Sequence, residues 1–149
     1  MVKFVFLDSG PLSLLANPNN SAQPVACRQW AADLQAAGHR LVVPEITDYE
    51  VRRELVRLGN SASVGLLNAL GSSLKYLALD TISMRKAAEL WALARQMGRP
   101  TAGDNTIDAD MILIAQALIY SQLNTIIATS NVGHFRTYIA AELWTNITP

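Results

Sequence analysis

Residues 103–118 read GDNTIDADMILIAQAL, an acidic segment that runs directly into an apolar one. Asp104, Asp108 and Asp110 fall within seven positions, and the run 111–118 contains no Gly or Pro. Good helix formers with apolar residues on more than one side predict a largely buried helix. A helix start stabilises one carboxylate easily, but three so close together repel one another. Taken by itself, this segment is consistent with either a solvated helix cap or a cation site.

The composition restricts the class of protein and the kind of site. With 149 residues, half of them hydrophobic and 16% charged, residues 1–149 fit one well-filled domain. The formal net charge of +0 means that nucleic-acid binding would need a local basic patch. A single cysteine, Cys27, and two histidines, His39 and His134, exclude a disulfide framework or Cys-based zinc site and disfavour a His-rich one. Oxygen ligands remain, and these favour Mg²⁺ or Mn²⁺.

No run of the sequence has the pattern of a targeting or membrane-spanning segment. The apolar residues before Asp8 are too few for a signal peptide, and no other apolar run approaches the length of a membrane span. We therefore expect a cytoplasmic protein that does not associate with membranes.

Hydrophobic patterning predicts an alternation of strands and helices. Short apolar runs predict buried strands at 2–7, 41–43, 76–79 and 125–128, with a short edge strand within 143–147. Helices are predicted at 12–16, 22–37, from 47 or 48 to 58, 63–70, 81–97 and in the run after the acidic segment. This alternation predicts an α/β fold with a mainly parallel sheet of four to five strands.

Polar side chains follow several of the predicted strands. Asp8 comes directly after the first strand, Glu45 and Glu50 after the second, and Asn131 after the fourth, while Asp110 opens the helix before that fourth strand. In an open parallel sheet the functional site lies outside the carboxyl ends of the strands. The sequence therefore predicts that acidic and amide groups from separate segments meet at one edge of the sheet.

Four motifs together carry a resemblance to a known family. They are FLDSGPLSLL at 6–15, ITDYEVRREL at 46–55, DADMILIAQAL at 108–118 and IATSNVGHF at 127–135. In this order and spacing the chain resembles the PIN-domain nucleases, particularly the VapC-like ribonuclease toxins of prokaryotic toxin–antitoxin systems. The resemblance covers nearly the whole chain and implies a PIN-like three-layer α/β/α fold.

The resemblance also implies an activity and a set of catalytic residues. The activity is metal-dependent endoribonuclease cleavage, with Asp8, Glu50 and Asp110 as catalytic acids. These three and Asp108 would hold the Mg²⁺ or Mn²⁺ cofactor, which activates water and neutralises charge on the phosphate. The fourth position of the site, often acidic in the family, falls at Asn131. His134 stands where many relatives carry another acid, and it is assigned no role.

Other polar residues are candidates for contacts to RNA. The candidates for substrate binding are Ser9, Thr129, Arg52 and Arg53. Further positive charge comes from Arg57, Arg95 and Arg99. A solvated charged face is the alternative interpretation of the basic residues.

Each acidic residue also has a structural interpretation. Asp8 would cap the helix that follows it, and Glu50 would pair with Arg53 on a solvated helix. Asn131 would support a turn. Joint placement at one sheet edge favours the functional interpretation of Asp8, Glu50 and Asp110.

Competing functions differ in how well the motifs fit. A haloacid-dehalogenase-like phosphatase needs a second Asp where Gly10 stands, and a P-loop nucleotide binder needs a GxxxxGK[ST] motif that the sequence lacks. The main alternative is a catalytically weak or inactive PIN domain that acts as an RNA- or protein-binding module. Asn131, standing in place of an acid, keeps this alternative open.

The resemblance implies two protein partners. VapC-like toxins commonly form homodimers, and a cognate antitoxin inhibits them, often with an Arg that reaches the carboxylate cluster. An Arg suits this role because its fixed charge stands in for a cation. The apolar composition also predicts exposed surface that a second copy or an antitoxin covers.

Overall fold

The computed structural model describes residues 1–98, 108–120 and 122–149. Two residues singled out in the sequence, Asp104 and Arg99, lie outside the described residues.

The sheet places the first strand of the chain at its centre. Its strands within the described residues are β1 Phe4–Leu7, β2 Arg40–Pro44, β3 Lys75–Leu77, β4 Thr125–Thr129 and β5 Ala141–Leu143. Their order is β3-β2-β1-β4-β5, and every neighbouring pair is parallel. Val5 of β1 lies opposite Leu41 of β2 and Ile126 of β4. The predicted parallel α/β sheet is confirmed.

Helices connect these strands. They are α1 Ser9–Leu15, α2 Ala22–Ala36, α3 Glu45–Arg57, α4 Ser61–Ser73, α5 Thr81–Gln96 and α6 Ala109–Leu118, with short 3-10 turns at Val132–His134 and Trp144–Asn146. The chain leaves α2 through Gly38, whose φ of 87° favours glycine, as predicted. Among the described residues, no helix combines the length and the apolar character that crossing a bilayer requires.

Helices α1 and α3 are among those that begin earlier in the chain than predicted. The first was placed at 12–16, but α1 begins at Ser9 because Asp8 caps it. Pro11 fits the first turn, where its missing N–H would have no intrahelical partner. The third helix was placed from 47 or 48, but α3 begins at Glu45, with Pro44 as its cap.

Two polar or terminal segments also differ from the prediction. Glu45, which the sequence places before the third helix, instead opens α3, and its Oε1 accepts the Leu79 N–H at 2.8 Å. The edge strand predicted within 143–147 lies at Ala141–Leu143, and the residues after it form a 3-10 turn.

The strands alternate between two buried faces. On β1, Val5 and Leu7 join a core with α1, α2 and α4, whereas Phe6 joins a core with α5 and α6. Since successive side chains of a strand point to opposite faces, helices cover both sides of the sheet. This arrangement is the predicted three-layer α/β/α architecture.

Helix α3 contributes to both cores. Its Ile46 packs with the α5–α6 core and its Val51 with the opposite core. The helix contacts α1 and α4 on one side and α6 on the other. Helix α3 directly follows the carboxyl end of β2. Its side chains that are not packed in the two cores therefore lie beside the ends of the central strands.

Trp30 ties the C-terminal segment to α2. Its indole Nε1–H donates to the Ile147 carbonyl at 2.9 Å, and its ring meets Trp144 edge to face at 5.5 Å. We expect Trp30→Phe to lower the free energy of unfolding by about 1–3 kcal/mol, since a buried carbonyl loses its donor. Urea unfolding measures this loss. The half-exposed Tyr49 provides the control. We expect Tyr49→Phe to change the free energy of unfolding by less than about 0.5 kcal/mol.

Candidate active site

Asp8 joins the two central strands at their carboxyl ends. Its backbone N–H donates to the Ala128 carbonyl of β4 at 3.0 Å, and its side chain is buried at 8% exposure. Its Oδ1 accepts the Ser9 N–H at 2.8 Å, and its Oδ2 accepts the Thr129 hydroxyl at 2.7 Å. The carboxylate is therefore held in one orientation by a donor on each oxygen.

Thr129 lies behind Asp8. The Thr129 side chain is fully buried, and its Oγ1 also accepts the backbone N–H of Asn131 at 2.9 Å. The first turn of α1 approaches this segment so closely that a Cβ on Gly10 would lie 2.5 Å from the Ser130 Oγ. Thr129 is therefore placed to hold the Asp8 carboxylate. Ser9, which lies beside Asp8, remains partly exposed.

Glu50 brings a second carboxylate to this edge from α3. Burial and, after it, the charges of Asp8 and Asp110 raise the pKa of Glu50 to about 7, while Arg53 lowers it. Because carboxylates influence one another in this way only at short range, the three groups share one region of the structure. Their shared role as one catalytic site stays a prediction, which this electrostatic coupling supports.

Asp110 stands in the first turn of α6 and is half-buried. Burial raises the pKa of its carboxyl group, and the charge of Asp8 raises it further, while His134 lowers it. The Asp110 Oδ2 lies 2.7 Å from the His134 Nδ1, and the His134 Nε2 lies 3.0 Å from the Asn131 Nδ2. His134, which sequence reasoning left without a role, is thus in contact with a predicted catalytic acid.

Asp108 acts as the cap of α6. It is buried at 7% exposure, and its Oδ1 accepts the Met111 N–H at 3.2 Å. Its charge raises the pKa of both Glu50 and Asp110. Asp108 therefore adds to the negative potential of the site while it also stabilises the start of the helix.

The two candidate arginines of α3 have different surroundings. Arg52 donates to Asp48 at 3.0 Å and to Asn68 at 2.8 Å, and Asp48 also accepts the Tyr76 hydroxyl. This network ties α3 to α4 and β3. Arg53 is exposed, lies 5.4 Å over the Tyr49 ring and lowers the pKa of Glu50. Arg53 is therefore the arginine that faces the carboxylate cluster.

The cluster suits a cation in charge and donor type. Within the described ranges, no group of three or more His, Cys, Asp or Glu side chains is arranged to hold a metal ion. The pKa values of Glu50 and Asp110 are nevertheless raised by neighbouring carboxylates, and a divalent cation would relieve that repulsion. Binding an ion therefore requires these oxygen ligands to close around it.

Glu50 should make the metal-free protein less stable as the pH rises. Its pKa is about 7 when folded, against 4.5 ordinarily, so its contribution is full below about pH 4.5 and lost as the pH passes through 7. We expect Glu50→Gln to stabilise the protein at pH 8 by on the order of 2–3 kcal/mol and to change little at pH 4.5. Urea unfolding in chelator at the two pH values measures the difference.

Glu54 provides the matched control on the same helix. It is exposed and pairs with Arg57, which lowers its pKa, so Glu54→Gln should not remove the loss of stability between pH 4.5 and pH 8. An unchanged pH dependence in Glu50→Gln would contradict the electrostatic coupling described above.

Comparison with known proteins shows which fold this is. No protein-family model matches the chain, and no curated protein matches it. Solved structures do, and the first is VapBC2 from Rickettsia felis bound to a DNA fragment from their promoter. It is 14% identical, with a TM-score of 0.67 over 95% of this chain and 98% of that one.

Two further structures match equally well. VapBC-1 from nontypeable Haemophilus influenzae is 20% identical, with a TM-score of 0.66 over 96% of this chain and 99% of that one. DNA-bound VapBC from Salmonella typhimurium is 18% identical, with a TM-score of 0.68 over 97% and 99%. At such low identities, structural similarity shows the fold alone. It confirms the fold that the resemblance implies. The chain has the α/β fold of the VapC-like PIN domains.

Proposed function

We propose that this chain is a metal-dependent endoribonuclease that hydrolyses RNA phosphodiester bonds, the toxin of a toxin–antitoxin pair. One observation carries the proposal: at the carboxyl edge of the sheet the charges of Asp8 and Asp110 raise the pKa of Glu50, and the charge of Asp8 raises that of Asp110. A protein keeps such mutual repulsion mainly where a positive group compensates for it. The VapBC name of the structural neighbours supports the biological role.

Each acidic residue has its own part in this chemistry. When bound, Mg²⁺ or Mn²⁺ supplies hydroxide near neutral pH and neutralises charge on the phosphate. Asp8, whose carboxylate has a donor on each oxygen, offers a fixed ligand. Asp110 and the ionised form of Glu50 complete the set, and a nearby positive charge favours that ionised form. Asn131 supplies no charge, and its side-chain amide contacts His134 instead.

RNA binding relies on local groups because the formal net charge is +0. Arg53 offers an exposed guanidinium near Glu50, and Ser9 is partly exposed beside Asp8. We assign these two residues to the RNA backbone. Arg52 and Thr129 support α3 and Asp8 from behind the site.

A cleavage assay on a panel of end-labelled RNAs in Mg²⁺ or Mn²⁺ tests the function. We expect internal cuts whose products carry no 2′,3′-cyclic phosphate, since water attacks the phosphate instead of the RNA's own 2′-hydroxyl. Cyclic phosphate products would contradict this mechanism. RNA binding without cleavage would support the alternative, an inactive PIN domain that acts as a binding module.

The proposed partners are a cognate antitoxin and a second copy of the chain. Helix α5 and its C-terminal cap carry apolar side chains that stay exposed, with Ile82 at 71%, Leu93 at 44% and the cap residue Met97 at 53%. Apolar surface of this kind is usually covered by a partner. Light scattering that shows only monomers at high concentration would contradict self-association, and undiminished cleavage in the presence of a neighbouring gene's product would contradict inhibition by that product.

A further inference from the structure

Hydrogen bonds form a continuous connection between Asp8 and Asp110 through the segment after β4. The Thr129 hydroxyl donates to the Asp8 Oδ2 at 2.7 Å, and the Asn131 backbone N–H donates to the Thr129 Oγ1 at 2.9 Å. The Asn131 amide then meets the His134 Nε2 at 3.0 Å, and the His134 Nδ1 meets the Asp110 Oδ2 at 2.7 Å. One short segment of backbone therefore links two carboxylates that come from β1 and α6.

The contacts of His134 determine where its proton lies. The Asn131 Nδ2 can only donate, so the His134 Nε2 accepts from it. With Nε2 accepting from Asn131, the ring N–H on Nδ1 donates to the Asp110 Oδ2. In this arrangement the ring presents a donor to the carboxylate without adding negative charge to the cluster.

The surroundings of His134 hold the ring in place. It lies in the 3-10 turn Val132–His134 and is itself exposed, while the next residue, Phe135, is fully buried in the core. Phe135 anchors the backbone and Asn131 orients the ring. Asp110 needs such a partner because Asp8 repels its carboxylate and the side chain has room to rotate at 22% exposure.

We propose that His134, oriented by Asn131, is a positioning residue that fixes the carboxylate of Asp110 for a divalent cation. This inference rests on the proposed function. The Asn131–His134 pair takes the place of a fourth acid: it holds Asp110 by a hydrogen bond without adding another repelling charge. Partners of this kind, which orient a ligand from outside, affect metal affinity by about 10–100-fold.

Calorimetric titration of Mn²⁺ into variants at His134 tests the proposal. His134→Ala removes the donor and should weaken Mn²⁺ binding at least tenfold. His134→Asn places an amide near the position of Nδ1 and should restore the affinity to within about threefold of wild type. His39→Ala is the matched control, because His39 accepts the Lys3 N–H at the amino end of β1 and should leave Mn²⁺ binding unchanged.

A spectroscopic measurement separates positioning from direct ligation. Pulsed electron paramagnetic resonance of the Mn²⁺-loaded protein should show no coupling to an imidazole nitrogen, since His134 acts through Asp110. Coupling that disappears in His134→Ala would overturn the proposal by making His134 a ligand. Unchanged affinity in that variant would overturn it as well, while the nuclease proposal would stand. Failure of the wild-type protein to bind Mn²⁺ would overturn both.

Discussion

We expect Asp8→Asn to reduce RNA cleavage severely while the fold stays intact. Asparagine keeps the shape of the side chain, and its Oδ1 still accepts the Ser9 N–H, but the negative charge is lost. We expect kcat/KM to fall at least about a thousandfold, or about 4 kcal/mol of transition-state stabilisation, because a metal-assisted hydrolysis loses a charged ligand. The free energy of unfolding should stay the same or rise, since repulsion of Glu50 and Asp110 is relieved.

The matched control is Asp48→Asn. Asp48 is a buried carboxylate too, but it pairs with Arg52 and Tyr76 away from the cluster. This variant should lose about 1–3 kcal/mol of stability and keep its cleavage activity. Initial-rate kinetics together with urea unfolding measure both quantities. More than a tenth of wild-type activity in Asp8→Asn would contradict the assignment of Asp8.

Chelation of divalent cations should reduce cleavage below detection, and added Mg²⁺ or Mn²⁺ should restore it. The described carboxylates supply oxygen ligands only, which these hard cations prefer. Binding requires Glu50 and Asp110 to be ionised, so Mn²⁺ should raise the unfolding temperature more at pH 8 than at pH 5. At about one hundred times its dissociation constant, an ion that binds only the folded state stabilises it by about 2.7 kcal/mol.

Rates in EDTA and thermal unfolding at both pH values check these expectations. Full activity in chelator would rule out the metal-assisted mechanism. A thermal shift of the same size at both pH values would show that ion binding does not depend on the ionisation of Glu50 and Asp110.

The parallel sheet could be predicted because its signals are local. Apolar runs such as 125–128 mark strands buried on both faces, and Gly38 marks the end of a helix. The starts of α1 and α3 were harder to predict, because each has a proline beside it, Pro11 and Pro44. Both prolines lie at a helix start, where the missing N–H does no harm, and only the capping contacts show where the helix begins.

The candidate site was partly predictable for a related reason. Asp8 follows a strand, Glu50 lies in the helix after a strand and Asp110 opens a helix, so the rule about carboxyl ends predicts that they meet, and the raised pKa values of Glu50 and Asp110 support this. The link from Asn131 to Asp110 through His134 was missed, because it joins groups more than twenty positions apart along the chain. The spacing NVGH, which places His134 one turn after Asn131, was the available signal.

Anomalous diffraction from crystals grown with Mn²⁺ tests the central claim most directly. The account predicts a peak at the carboxyl edge of the sheet, with oxygens of Asp8, Glu50 and Asp110 at about 2–2.6 Å from it. His134 should still contact Asp110 from outside. A well-occupied Mn²⁺ elsewhere on the molecule, with these carboxylates left without an ion, would contradict it.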